Sequence, residues 1–456
     1  MGTNETVSAM FAGRPLKSLR LEVVEGPDRG KVATAPEHLS VGSAPTNGLV
    51  LTDDTVSRYH VELIGRDDRV EVVDNGSRNG TWVGSAAIVR GFVTVGTTLR
   101  VGRTVLRVLD GETFTSELLA GDRLGPVVGQ SVVMRALLAK VQRCAPTTAS
   151  VLLTGETGSG KEVVARALHE SSTRAGGPFE TVDCGSMVEN LMVSELFGHE
   201  KGAFTGADRQ HIGAFERAHG GSIFLDEIGE LPPSLQTALL GALERRSFRR
   251  VGGTERINVD VRLISATHRD LRAAVNAGRF REDLFYRIAV VTLEVPPLRE
   301  RRDDIPLLVE HFLRTSGSQL PVNQVFDEAG MAALSAHDWP GNVRELRNIV
   351  EATLALGSTA LGSERSSGED LSAETGAPVG VVSGPNNIAL GPLVSLPYAD
   401  ARAQLLDQFE AHYLRSLVER NEGNVAAAAR EAQMDRTYLT RLLKKRGVKT
   451  RRDFPE

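Results

Sequence analysis

The stretch that most constrains the fold is residues 151–162, VLLTGETGSGKE. An apolar run leads directly into Gly155-x-x-x-x-Gly160-Lys161, and a helical pattern follows. Glycines at these spacings let backbone N–H groups wrap an anion, and Lys161 adds a cation that reaches terminal phosphates. The helix that follows presents its positive end to the same place. Candidate nucleotide contacts are therefore Gly155, Glu156, Thr157, Gly158, Ser159, Gly160, Lys161 and Glu162. Glu162 stands where Ser or Thr usually touches Mg2+, so other groups or water must meet the metal.

A second apolar run, SIFLDE, ends in Asp226-Glu227. Two acids after a buried strand lie at the carboxyl edge of an open α/β sheet, where ligands bind. Asp226 is expected to hold Mg2+, and Glu227 to polarise the attacking water. Runs such as SVLLTG, SIFLDE and VDVRLISAT alternate with helical stretches over residues 128–356, the pattern of a parallel sheet.

Composition shifts set off three other regions. Residues 18–110 carry short alternating segments (LRLEVV, VEVVD, FVTV, TLRVG) broken by Gly, Asn and Asp, as in an all-β sandwich. Residues 357–396 are rich in Gly, Ser and Pro, and read as a flexible linker. Residues 400–452 read as helices at 405–420, 425–432 behind Asn424, and 436–446 behind Asp435. The chain carries a net charge of -5, yet residues 424–452 hold nine basic residues against two acidic ones, a net of +7. A basic end on an acidic protein suits a polyanion partner. No apolar run is long enough for a membrane span, the N-terminal segment lacks a secretory layout, and Cys144 and Cys184 make no metal or disulfide framework. The expectation is a cytoplasmic protein without a membrane partner.

Residues 128–356 resemble the AAA+ module of bacterial enhancer-binding proteins, the activators of sigma-54 RNA polymerase. GETGSGKE resembles that family's Walker A, which commonly carries Glu after the Lys, and GGSIFLDEIGELP resembles its Walker B. ELFGHEKGAFTGA supplies the most specific match. Its Gly202, Ala203, Phe204, Thr205, Gly206 and Ala207 correspond to the loop that grips sigma-54. SATHRDL resembles sensor I, which implies Thr267 and His268 near the γ-phosphate. RFREDLFYRI resembles the arginine-finger segment, which implies Arg281 and Arg287 as catalytic groups reaching a neighbouring subunit's ATP. WPGNVRELRN resembles sensor II through Arg344, and Val128-Gly129 the segment lining adenine. In TVDCGSM the family often has an Asn that restrains the Walker B Glu; Asp183 stands there instead. A carboxylate cannot donate to Glu227 and would repel it, so the switch at Asp183 is expected to be altered.

The sandwich resembles a forkhead-associated (FHA) domain through Gly42, Ser57-Arg58-x-His60 and Ser77-Arg78-Asn79-Gly80-Thr81. The resemblance implies that Ser57, Arg58, Arg78 and Asn79 contact a phosphothreonine peptide, with His60 and Gly80 bracing the loops. Ser43 replaces an Arg usual in that family, which implies weaker phosphate binding. NVAAAAREAQMDRTYLTRLLKKRGV resembles a Fis-type helix-turn-helix. It implies Arg436, Thr437, Tyr438 and Arg441 in the major groove, with Lys444, Lys445 and Arg446 on phosphates. Together the resemblances imply three folded parts: an FHA-like sandwich, an α/β AAA+ ATPase with a helical lid, and an all-α helix-turn-helix. They imply a DNA-bound homo-oligomer, a hexamer, that spends ATP with Mg2+ to remodel sigma-54 polymerase under a phosphothreonine signal. Two other readings are an AAA+ remodelling ATPase with a different protein target, and a non-catalytic signalling scaffold.

Overall fold

The computed structural model describes residues 11–66, 69–318 and 320–356, and further along 414, 417, 418, 420, 421, 425–431, 439 and 443. Residues 1–368 and 369–456 form two separate compact units.

In the first unit, residues 19–109 make two facing sheets. One has five strands in the order Arg90–Val93, Arg69–Asp74, Val61–Arg66, His38–Gly42, Leu49–Val50. The other has six, in the order Val32–Ala35, Leu19–Glu25, Thr104–Leu109, Thr98–Val101, Thr81–Val83, Ala86–Ile88. Alternate residues point inward, so Leu19, Leu21 and Val23 meet Leu39, Val41, Val61 and Leu63 in one core. β-Structure extends past the expected limits of 18–110: Phe11–Lys17 pairs antiparallel with Thr113–Leu119. Gly13 and Pro15 interrupt the apolar alternation there, and a Pro on an edge strand costs no central ladder bond. Arg135 of the Val132–Cys144 helix donates from Nε to Leu119 O at 2.6 Å, tying this two-stranded sheet to the ATPase.

The ATPase sheet has five parallel strands in the order Phe179–Asp183, Ser222–Asp226, Arg262–Thr267, Val151–Thr154, Val291–Glu294. Both faces are covered, which is why the strands read as unbroken apolar runs. Val151 and Leu153 pack with Leu137, Leu138, Val164 and Leu168 of the flanking helices. Leu152 faces the other way, into a core with Ile223, Leu225, Leu235 and Leu239. Thr154, Asp226 and Thr267 are the last residues of their strands, so all three stand along one edge. A lid of the helices Ile305–Thr315, Glu328–Ala336 and Asn342–Leu356 packs around the fully buried Trp339, with Val128 and Leu298 in the same cluster.

In the second unit, Leu414, Leu417 and Val418 pack with Ala428 and Ala429 of the Val425–Glu431 helix and with Leu439 and Leu443. The small alanine side chains let the helical segments approach closely. The linker at 357–396 and the expected DNA contacts Arg436, Thr437, Tyr438, Arg441, Lys444, Lys445 and Arg446 lie outside the described residues. Among the described residues no helix is long and apolar enough to cross a membrane.

Candidate functional site

The Val151–Thr154 strand delivers the chain to Gly155, and Gly160, at φ 103°, opens the Lys161–Glu170 helix. Lys161 is 6% exposed; its Nζ donates to Gly155 O at 2.9 Å and Glu156 O at 3.2 Å, and lies 3.8 Å from Glu227 Oε1. The Ser159 hydroxyl is buried without a hydrogen-bond partner. A buried cation resting on loop carbonyls and near one carboxylate, beside an unused buried hydroxyl, is what a polyphosphate would engage, so the loop fits ATP. Glu162 is exposed, its Oε1 3.9 Å from Arg166 one turn on.

The lid closes onto this loop. Val343 N–H donates to Gly158 O at 3.0 Å. A Cβ on Gly158 would fall 2.4 Å from Gly341 O and 3.1 Å from Arg344 Cβ, and its φ of 76° disfavours other residues as well. Arg344 thus comes beside the loop. Sequence reasoning gave Glu156 no structural role here. Its carboxylate takes a bidentate pair from Arg299 (2.8 and 2.5 Å) and a bond from Asn342 Nδ2 (3.1 Å). The Arg299 bonds hold the Glu156 carboxyl down at about 2. Arg301 and Asp304 were missed too. Arg301 donates to Ser159 O, and burial pulls its guanidinium down to about 10. Asp304 accepts from the Gln130 and Ser131 amides at 2.7 and 2.6 Å, fixing the segment just after Val128 and Gly129.

At the carboxyl edge, Glu227 sits in the left-handed region (φ 51°, ψ 47°), a conformation that costs a non-glycine residue about 1 kcal/mol or more. The turn aims its side chain across to sensor I: Oε2 accepts from the His268 amide at 3.2 Å and pairs with His268 Nδ1 at 2.7 Å. Asp226 lies beside Asp183 in register. Burial, and then the charge of Glu227, raise the Asp226 carboxyl above its ordinary value. Such a surplus of negative charge suits a divalent cation. Asp183 turns away: its Oδ1 accepts from Gly185 N–H at 2.8 Å, and Glu227 is held by His268 instead. Thr267 is buried, its Oγ1 accepting from Arg269 N–H at 3.0 Å.

Two further groups lie apart from the loop. Arg281 precedes the Glu282–Ile288 helix and pairs with Asp283 at 2.6 Å; Arg287, within it, donates to Leu243 O at 3.1 Å. Neither bonds to a phosphate-loop residue. Residues 202–207 form a tight turn in which Gly202 N–H donates to Ala207 O at 2.8 Å and Ala207 N–H to Phe204 O at 3.0 Å. Gly202 (φ 83°) and Gly206 (φ 97°) supply the left-handed conformations at its ends. Phe204 is 43% exposed and, among the rings of the described residues, meets His199 alone, edge to face at 4.9 Å. Below the turn, Arg250 bridges Glu200 (2.8 Å) and Glu216 (2.7 Å).

On the sandwich, Ser57 Oγ accepts from Arg78 N–H at 2.9 Å, and Asn79 Nδ2 donates to Thr55 O at 2.7 Å. Buried His60 braces both loops. Its Nδ1 accepts from Ser57 N–H, so Nε2 carries the proton that reaches Gly80 O at 3.1 Å. Burial keeps the ring neutral by lowering its pKa. Ser57, Arg58, Arg78 and Asn79 therefore share one end of the sandwich, and Arg58 reaches Glu282 of the ATPase.

The family descriptions that match are the sigma-54 interaction domain at residues 127–294, the AAA+ ATPase lid domain at 299–374, and the cytoplasmic domain of an inner-membrane type III secretion component at 22–112. The transcriptional regulatory protein ZraR of Escherichia coli K12 is 45% identical over 314 residues, covering 69% of this chain and 67% of that protein. ZraR of Escherichia coli O157:H7 is 42% identical over 350 residues, covering 76% and 74%. The chain belongs to the sigma-54-dependent transcriptional regulators. This regulator is an ATPase that activates transcription through its sigma-54 interaction domain. The Nif-specific regulatory protein of Herbaspirillum seropedicae is 48% identical over 275 residues, 58% of the regulator and 49% of that protein. Among solved structures, NtrX from Brucella abortus in complex with ATP is 39% identical with a TM-score of 0.47, covering 72% and 71%. A structure of phosphothreonine-dependent FHA domain interactions is 26% identical, TM-score 0.19, covering 20% of the regulator and 95% of that chain.

Proposed function

We propose that ATP turnover at the Lys161 loop drives the tip at residues 202–207 against sigma-54 in the polymerase–promoter complex. The observation that carries this is the tip itself. A solvent-facing Phe204 between two left-handed glycines has little structural use where it stands, and suits a surface that engages a partner. Lys161, Ser159 and the loop amides hold the phosphates, Arg344 approaches from the lid, and Val128 and Gly129 flank the base. Asp226 would hold Mg2+, which when bound neutralises charge on the terminal phosphates. Glu227, positioned by His268, orients the attacking water and takes its proton at a side-chain oxygen. Arg281 and Arg287, remote from their own loop, serve the ATP of a neighbouring copy in a hexamer. Residues 400–452 bind an upstream DNA site, with Arg436, Thr437, Tyr438 and Arg441 reading bases. The sandwich binds a phosphothreonine protein through Ser57, Arg58, Arg78 and Asn79. All of this takes place in the cytoplasm.

Sigma-54-dependent transcription in vitro with Thr205→Ala tests the central step. ATP hydrolysis should persist within about twofold of wild type while promoter activation falls at least about tenfold, the loss of one interface contact. Activation at the wild-type level would remove the tip from the mechanism.

A further inference from the structure

The end of the sandwich that carries Ser57, Arg58, Arg78 and Asn79 does not face open solvent throughout. Arg58 donates from Nη1 to Glu282 Oε2 at 3.0 Å and from Nη2 to Val275 O at 3.4 Å. The next residue, Tyr59, is 2% exposed and sits within the ATPase core, its ring edge-on to Phe285 at 5.5 Å and tilted on Tyr286 at 6.4 Å. Asn276 clasps the same loop, donating from Nδ2 to Tyr59 O at 2.6 Å and Asn75 O at 3.0 Å. Arg272 pairs with Glu62 close by. Burial works to raise the Glu62 carboxyl, but Arg272 and His38 outweigh it and hold it at about 2.

All the ATPase groups in this contact belong to the helices Leu271–Asn276 and Glu282–Ile288 and the chain between them. That is the segment that bears Arg281 and Arg287. Glu282 is one residue from Arg281, and a cavity of about 470 Å³ is lined by both Arg58 and Arg281, together with Glu282, Asp283 and Tyr286. The carboxylate on Arg58 stands in for a phosphate: an anion on the guanidinium of a phosphate-reading loop.

We propose that the phosphate-reading loop and the arginine-bearing helix hold one another in cis, and that a phosphothreonine peptide is the ligand that parts them. This rests on the phosphopeptide reading given above. A phosphothreonine brings about -1.5 to -2 charges and three acceptor oxygens, against the single charge of Glu282. Arg58 is half exposed, so the pair it forms with Glu282 is weak and exchangeable. Tyr59, the residue after Arg58, is bonded through both its amide and its carbonyl to Asn276, and this tie carries the displacement to the helix. Binding to the sandwich and the freedom of Arg281 and Arg287 are then one equilibrium, and each must influence the other.

The test uses the full chain, a degenerate phosphothreonine peptide pool and the matching unphosphorylated pool, with binding read by fluorescence polarisation and ATP turnover in parallel. Glu282→Gln should bind the phosphorylated pool about two- to fivefold more tightly than wild type, the range of an exposed ion pair. The phosphorylated pool should raise wild-type turnover at least about twofold, raise that of Glu282→Gln by less, and leave Arg58→Ala unmoved. In wild type, it should also speed hydrogen exchange across residues 271–288, a readout that does not depend on any variant folding. Equal affinity for wild type and Glu282→Gln, with turnover and exchange unmoved, overturns the competition while leaving the phosphopeptide reading intact. Failure of the pool to bind either protein overturns that reading, and the competition with it.

Discussion

The phosphate loop and the exposed turn at residues 202–207 of the ATPase are built on opposite plans. Around the phosphate loop successive residues are tied to other parts of the chain: Arg299 and Asn342 both grip Glu156, Val343 bonds Gly158, and Arg301 bonds Ser159. The tip at residues 202–207 has two internal backbone bonds and one ring contact, and Phe204 faces water. The first plan suits preorganised charge, which stabilises a transition state because it does not have to move. The second suits a part that must change its surroundings with each turnover. Between them lies a firm base, where Arg250 ties Glu200 to Glu216.

Three measurements sharpen or break that contrast. Lys161→Ala removes the buried cation of the loop, and ATP turnover should fall about 10²–10³-fold; near-normal turnover would show that the cradle is not preorganised around it. Arg250→Ala should lower the midpoint of denaturant unfolding measurably, since two partly exposed carboxylates lose a common partner. Unchanged stability would mean that the base of the tip is as loose as the tip. The smallest effect concerns Glu156, whose carboxyl is lowered in the folded state to about 2. A lowered carboxyl contributes stability that is present above its unfolded value and lost as pH falls toward the folded one. The unfolding temperature of wild type should therefore exceed that of Glu156→Gln by about one or two degrees at neutral pH, because the group is partly exposed. The gap should close between about pH 4.5 and 2. A gap independent of pH would assign the difference to shape and not to charge.

Much of this was legible in the sequence because its chemistry is local. The phosphate loop, the acidic strand end and the glycine-flanked Phe204 each declare themselves within a dozen residues, and each strand ends where its motif begins. The Glu156 clamp was not legible, since Arg299 and Asn342 stand 143 and 186 residues away and neither breaks a local pattern. Asp183 shows the middle case. Its charge, unable to donate, pointed to an altered switch, and the structure turns it to its own Gly185 amide; that Glu227 would rest on His268 needed the geometry of two adjacent strand ends. The sandwich strands were readable from alternation, but the extra pairing of Phe11–Lys17 with Thr113–Leu119 was hidden by Gly13 and Pro15.

Tyr59 has a practical corollary. The hollow it fills is lined by Phe285 and Tyr286, two large rings that a core normally supplies to itself. An ATPase fragment cut free of the sandwich would present those rings to water, on a surface that also carries Arg272 without its counter-ion. Such a fragment would be stickier than the whole chain and prone to precipitate on purification, so the sandwich acts as a solubility cap for the enzyme it adjoins.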